Sequence, residues 1–120
     1  MRFDAIYVSD LWRTQQTFAE MAKHGIKGPV VNTALIREKA GGEFEGQPHG
    51  KQFEKATELG IPIREFKPEG GESPNMMLQR AREFLKKSIA CTNKDNADVL
   101  VVTHGGFIGE IYNAFFELQG

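Results

Sequence analysis

The apolar positions of this 120-residue chain follow two rhythms. One is short and unbroken: Val99-Leu100-Val101-Val102 sets four apolar residues in a row, three of them β-branched. That is the pattern of a strand covered on both faces in a parallel sheet. Phe3 to Val8 is a second such stretch, and Pro29 to Asn32 a shorter third that leads to Leu35 and Ile36. The other rhythm is helical. Beyond Gly105-Gly106, the residues Phe107, Ile108, Ile111, Tyr112, Phe115 and Leu118 return at helical spacing. Leu11, Phe18, Met21 and Ala22 do the same after Ser9 and Asp10, either of which can cap a helix, and Gly25 marks its stop. Lys51 to Leu59 predicts a short helix with Phe53 and Ala56 inward and Gly60 at its end. Ser73-Pro74 supplies an N-cap and first-turn pair for a long helix whose inner face carries Met77, Ala81, Phe84, Leu85 and Ile89. Its Met76-Met77 pair reads as core filling. Strands alternating with helices predict a three-layer α/β domain over residues 1–120, with core strands near 3–8, 30–32 and 99–102.

Composition narrows the partners. Fifteen basic residues against sixteen acidic ones leave a net charge of −1, which gives no global electrostatic case for nucleic acid or an anionic membrane. No apolar run approaches the roughly 20 residues of a membrane span, and Met1-Arg2-Phe3-Asp4 does not open a signal peptide. The single cysteine, Cys91, has no internal disulfide partner and suits a reducing, cytoplasmic setting.

The chemistry concentrates at strand ends. His104 closes the 99–102 strand, where open α/β sheets place their ligand crevice, and Gly105-Gly106 would aim backbone N–H groups at an anion there. A structural histidine closing a strand is the other reading. Arg13 stands in the first turn of a helix, against the dipole, so it either extends into solvent or holds an anion. Residues 37–46 form a charged, glycine-rich loop, either solvated or functional.

Four segments stand in order: Ser9 to Thr17, Arg37-Glu38 through Glu45-Gly46, Pro68 to Ser73, and Val99 to Gly106. Together they resemble the histidine phosphatase superfamily, the phosphoglycerate-mutase-like fold, over nearly the whole chain. Arg13-Thr14 with Gln16-Thr17, and Phe115-Phe116 with Leu118, are most similar to its fructose-2,6-bisphosphatase-like (TIGAR) branch. The resemblance implies that Arg13 clamps phosphate, Glu38 donates a proton, and His104 contacts the phosphoryl group with help from the Gly105 N–H. The implied reaction hydrolyses a phosphate monoester of a small metabolite through a phosphohistidine, with no metal or other cofactor. A phosphoglycerate mutase and a non-catalytic module binding a phosphorylated ligand or a protein are the alternatives.

The departures matter as much. The family's opening strand ends in Arg-His-Gly, which supplies the nucleophile, and no such triplet occurs in these residues. Neither His24, after a helix end, nor His49, in a loop, replaces it. Gly41 stands where many relatives carry an aromatic residue, and Gly109 where many carry arginine. The chain reads as a partial domain, an internal portion or shortened product, predicted inactive alone. In the family's topology the 3–8 and 30–32 strands lie on one side of the 99–102 strand and the missing strand on the other. An open edge inclined to self-association is therefore expected at Val99 to Val102.

Overall fold

The computed structural model describes residues 1–48, 50–90 and 96–119, with the side chains of 89, 90 and 119 excepted. His49, Cys91 and the Ile89 side chain, each named above, lie outside the described residues. Among the described residues three parallel strands, β1 (Ala5–Ser9), β2 (Val30–Thr33) and β3 (Val99–Val102), form a sheet in the order β2-β1-β3. Tyr7 pairs with Val31 on one side and Val101 on the other, which fixes the register.

Among the described residues there are four α-helices, α1 (Trp12–Lys23), α2 (Gly50–Leu59), α3 (Pro74–Ala90) and α4 (Gly105–Gln119). Of these, α1, α3 and α4 cover the sheet, and α2 packs on a 3₁₀ turn, Ile63–Glu65. Strand alternation divides the core between two faces. Ile6, Val8 and Val102 point to one side, where Phe18 and Met21 of α1 cover them. Tyr7 and Val101 point to the other, against Phe84, Leu85, Phe107 and Ala114 of α3 and α4. The three-layer α/β/α architecture is therefore present. The radius of gyration, 16.1 Å, exceeds the about 14 Å expected for this length, because the molecule is a slab only 17 Å thick.

That thinness corrects several expectations. Among the described residues β3 is an edge strand, with Val101 covered on one face and Leu100 and Val102 on the other, and only Val99 is exposed. Of the predicted α4 stripe Phe107 is fully buried and Ile111 packs partly buried against the core, while Ile108, Tyr112, Phe115 and Leu118 remain exposed; Glu110 and Ala114 are buried as well. In α2, Ala56 turns inward but Phe53 is exposed. Ala22 of α1 is exposed, and of the methionine pair only Met77 enters the core. Neither Ser9 nor Asp10 caps α1: Leu11 holds the N-cap position without a side-chain bond. The stops at Gly25 (φ +98°) and Gly60 (φ +70°) stand as expected, and Ser73 Oγ accepts the Met76 N–H at 3.1 Å as the α3 cap. Among the described residues no helix is long and apolar enough to cross a membrane.

Candidate active site

The carboxyl ends of β1 and β3 and the loop after β2 converge on one cleft. His104 lies two residues beyond β3, and its carbonyl accepts the Ile108 N–H at 2.9 Å, so it heads α4. Its Nε2 lies 3.0 Å from Oγ of Ser9, the fully buried last residue of β1. The hydroxyl that the sequence offers as a cap thus faces the histidine. Burial, the largest influence, holds the His104 imidazole below its ordinary value. The Glu38 carboxylate opposes that shift, and the Arg13 and Arg80 guanidiniums reinforce it. That direction favours the neutral imidazole, in which one ring nitrogen accepts and the other donates, with Nε2 engaged by Ser9.

Arg13 projects from the first turn of α1 and is exposed. Among the described residues its guanidinium makes no hydrogen bond or salt bridge, yet its charge reaches His104. Gly105 is exposed at the head of α4.

Glu38 comes from the loop that follows a 3₁₀ turn, Ala34–Ile36, whose Ile36 is buried in the core. Thr103 Oγ1 donates to the Ile36 carbonyl at 2.5 Å, tying that turn to the end of β3. The Glu38 carboxylate accepts the Lys39 N–H at 3.0 Å and the Gly106 N–H at 3.2 Å. The anion received by the start of α4 is therefore Glu38 itself. A Cβ at position 106 would stand 2.5 Å from Glu38 Oε1 and would push the carboxylate away from this approach. Arg37 forks Asp10 at 2.6 and 2.7 Å across the cleft rim, and that bond, the largest cause, holds the Asp10 carboxyl below its usual value.

A cavity of about 580 Å³ opens beside Glu38, lined by Lys39, Gln52, Arg64, Gly106 and Glu110. Burial, opposed by the Glu72 and Glu38 charges, lowers the Lys39 pKa, and its Nζ donates to Gln52 Oε1 at 2.5 Å. Arg64 pairs with the buried Glu110 carboxylate at 2.8 Å. Neither Arg13 nor His104 lines this cavity, which lies on the Glu38 side of the cleft.

Of the residues singled out in the sequence, the structure brings Glu38 and His104 to one end of α4. Ser9, read in the sequence as a cap, contacts His104, and Glu72, read as part of a turn, pairs with Arg80, which the sequence did not single out and which reaches the Glu38 carbonyl. Of the two unusual glycines, Gly109 faces open space, whereas a Cβ on Gly41 would press the Glu45 carboxylate at 3.1 Å. Among the described residues no three His, Cys, Asp or Glu side chains gather as metal ligands would.

Comparison with known proteins places this geometry in context. The model of the histidine phosphatase superfamily (branch 1) matches residues 1–120. A metal-independent phosphoserine phosphatase of Arabidopsis thaliana is 31% identical over 119 residues, covering 90% of this chain and 47% of that protein. Fructose-2,6-bisphosphatase TIGAR B of Danio rerio is 31% identical over 90 residues, covering 72% of this chain and 35% of that protein. In structure, a mycobacterial glucosyl-3-phosphoglycerate phosphatase superposes with a TM-score of 0.69 at 25% identity, covering 95% of this chain and 58% of that one. The chain spans about half the length of the relatives it matches, or less.

Proposed function

The chain belongs to the histidine phosphatase superfamily, branch 1, and we propose that it carries the phosphate-clamping and proton-donating part of a phosphatase site. The observation that supports this most is the meeting of the Glu38 carboxylate with the Gly106 N–H, two residues from a His104 that feels the charge of the exposed Arg13. In this reading the Arg13 guanidinium, the His104 ring N–H and the Gly105 N–H hold the equatorial oxygens of a phosphoryl group. A histidine nucleophile forms the N–P bond as the ester P–O bond breaks, and Glu38 gives its proton to the departing oxygen. Water then attacks the phosphohistidine, losing a proton to Glu38 and releasing phosphate. The rest of a small phosphorylated metabolite, such as a fructose-2,6-bisphosphate-like sugar phosphate, occupies the cavity lined by Lys39, Gln52 and Arg64 together with Glu38, Glu45 and Glu110. The setting is cytoplasmic.

These 120 residues contain no Arg-His-Gly nucleophile, so the polypeptide alone is expected to release no phosphate above background. The assay uses fructose-2,6-bisphosphate, 2,3-bisphosphoglycerate, phosphoserine and p-nitrophenyl phosphate. It is still expected to bind orthovanadate, with Arg13→Ala weakening that binding about tenfold, a charge-assisted pair's worth. Turnover abolished by Arg13→Ala would place a nucleophile within the chain, and unchanged vanadate affinity in that variant would remove the clamp.

The β3 edge supports self-association. Among the described residues β3 pairs on one side only, and an apolar groove lined by Val99, Val101, Ile111 and Phe115 runs beside it. The strand carries no proline or lysine to block pairing with a second copy. Val99→Lys is expected to lower the scattering mass at a given concentration while costing little packing, since Val99 is already exposed. A wild-type chain that stays monomeric at high concentration, with protected β3 amides, would contradict this.

A further inference from the structure

We propose that Arg80 is a positioning residue for Glu38, holding the 35–40 segment, together with Glu72, in the conformation that presents the Glu38 carboxylate to α4. The role of proton donor given to Glu38 rests on the reading above; the positioning does not.

A guanidinium has five N–H donors, and the protein uses every one of Arg80's. Nε and Nη2 fork the Glu72 carboxylate at 2.8 Å each. Nη1 donates to the carbonyls of Leu35 at 2.7 Å and Arg37 at 2.9 Å, and Nη2 also reaches the Glu38 carbonyl at 3.4 Å. Three carbonyls within four residues, ending at Glu38 itself, are thus gathered by one side chain from α3. Arg80 has no donor left for a ligand, which distinguishes it from Arg13.

Glu72 closes the bracket. Its Oε1 accepts the Ala40 N–H at 3.0 Å, and its own N–H donates to the Ala40 carbonyl at 2.9 Å. Burial acts to raise the Glu72 pKa, but the Arg80 bond, the Ala40 N–H and the charges of Arg80 and Lys39 outweigh it, so the carboxylate stays ionised. Backbone packing fits the same purpose: a Cβ on Gly42 would lie 2.3 Å from the Glu69 carbonyl, and one on Gly71 2.7 Å from that of Ala40. The two loops therefore stack backbone on backbone, leaving Glu38 no slack on its C-terminal side. On its other face the Arg80 guanidinium sits 5.2 Å from the Phe107 ring centroid. Phe107 follows Gly106, whose N–H receives Glu38. One side chain thus contacts both the loop that carries the carboxylate and the helical turn that meets it. A lysine, a point charge without a planar fork, cannot reproduce this set of bonds.

The test uses the 120-residue chain and needs no turnover. In the wild type, the amide resonances of Lys39 and Gly106 are expected to shift with pH in step with the Glu38 side-chain carboxyl carbon, because both N–H groups donate to it. The His104 step is followed separately on its ring protons. Arg80→Lys and Glu72→Gln, the second nearly isosteric, are each expected to remove most of the carboxyl-linked shift at those two amides. Ile6 and Val8 in β1 should keep their wild-type resonances. Retention of the full coupled shift in a folded variant of either kind overturns the proposal. Global unfolding of both variants overturns it too, since the pair would then serve the fold as a whole. In a catalytically complete protein, Arg80→Lys should copy the substrate pattern of Glu38→Gln given below. Lost amide coupling without that pattern would count against the phosphatase reading and not against the positioning.

Discussion

Glu38→Gln is expected to slow hydrolysis of a sugar phosphate by about 10²–10⁴-fold, while p-nitrophenyl phosphate hydrolysis falls far less. The setting is a chain supplied with a strand that carries the Arg-His-Gly nucleophile. An alkoxide is a poor leaving group and needs a proton as the P–O bond breaks, whereas p-nitrophenolate leaves unaided. Glutamine is not structurally silent here. The Glu38 oxygens accept one N–H each, from Lys39 and Gly106, and an amide can satisfy only one of them with its oxygen. Its NH₂ must then face the other donor or swing away. That rearrangement would affect all substrates alike, so the ratio between the two substrates isolates proton donation. Equal losses on both would make Glu38 a structural carboxylate.

The sheet and its helices were legible wherever one residue dictates local geometry. Ser73-Pro74 can be read as a cap because the hydroxyl and the ring act on the next few residues, and the structure shows the bond to Met76. Burial was less legible. Val99 to Val102 has the composition of a covered strand, and Leu100, Val101 and Val102 do pack against helices, yet the apolar run does not reveal that Val99 is left exposed. The same limit separates Phe53 from Phe107: both fit the helical stripe, and only the second meets a packed neighbour.

At the site, Glu38 is singled out only by the family resemblance, whereas His104 and Arg13 stand out by their type just beyond strand ends. Arg80 does not, because an arginine on a long helix ordinarily reaches into solvent, and its carbonyl partners lie more than 40 residues earlier in the chain. Nor could Ser9 be assigned, since a hydroxyl before a helix serves a cap or a side chain equally well. The doublets Gly41-Gly42 and Gly70-Gly71 were the one available signal of the bracket. They read as two loops, and their pairing is visible only once the backbones are seen in contact.

Phe107→Ala is expected to destabilise the folded chain by about 3–5 kcal/mol, a large part of the roughly 5–15 kcal/mol that a small domain possesses. Phe107 is fully buried among Ile36, Met77, Ala81 and Phe84, and no mobile surface group stands ready to fill the space it leaves. Its loss also removes the ring beneath Arg80, about 0.5–2 kcal/mol of cation–π attraction. Phe53→Ala makes the same chemical change on an exposed face of α2 and is expected to shift stability within about 0.5 kcal/mol. Urea unfolding followed by far-ultraviolet circular dichroism measures both, with a common slope confirming that only the midpoint moves. Phe107→Leu separates the two contributions, since it keeps most of the volume and discards the π face. If the leucine variant is nearly as stable as wild type but loses the Gly106 amide's response to Glu38, the ring acts mainly on Arg80. Equal midpoints for Phe107→Ala and Phe53→Ala would mean that α4 does not close over α3 as described.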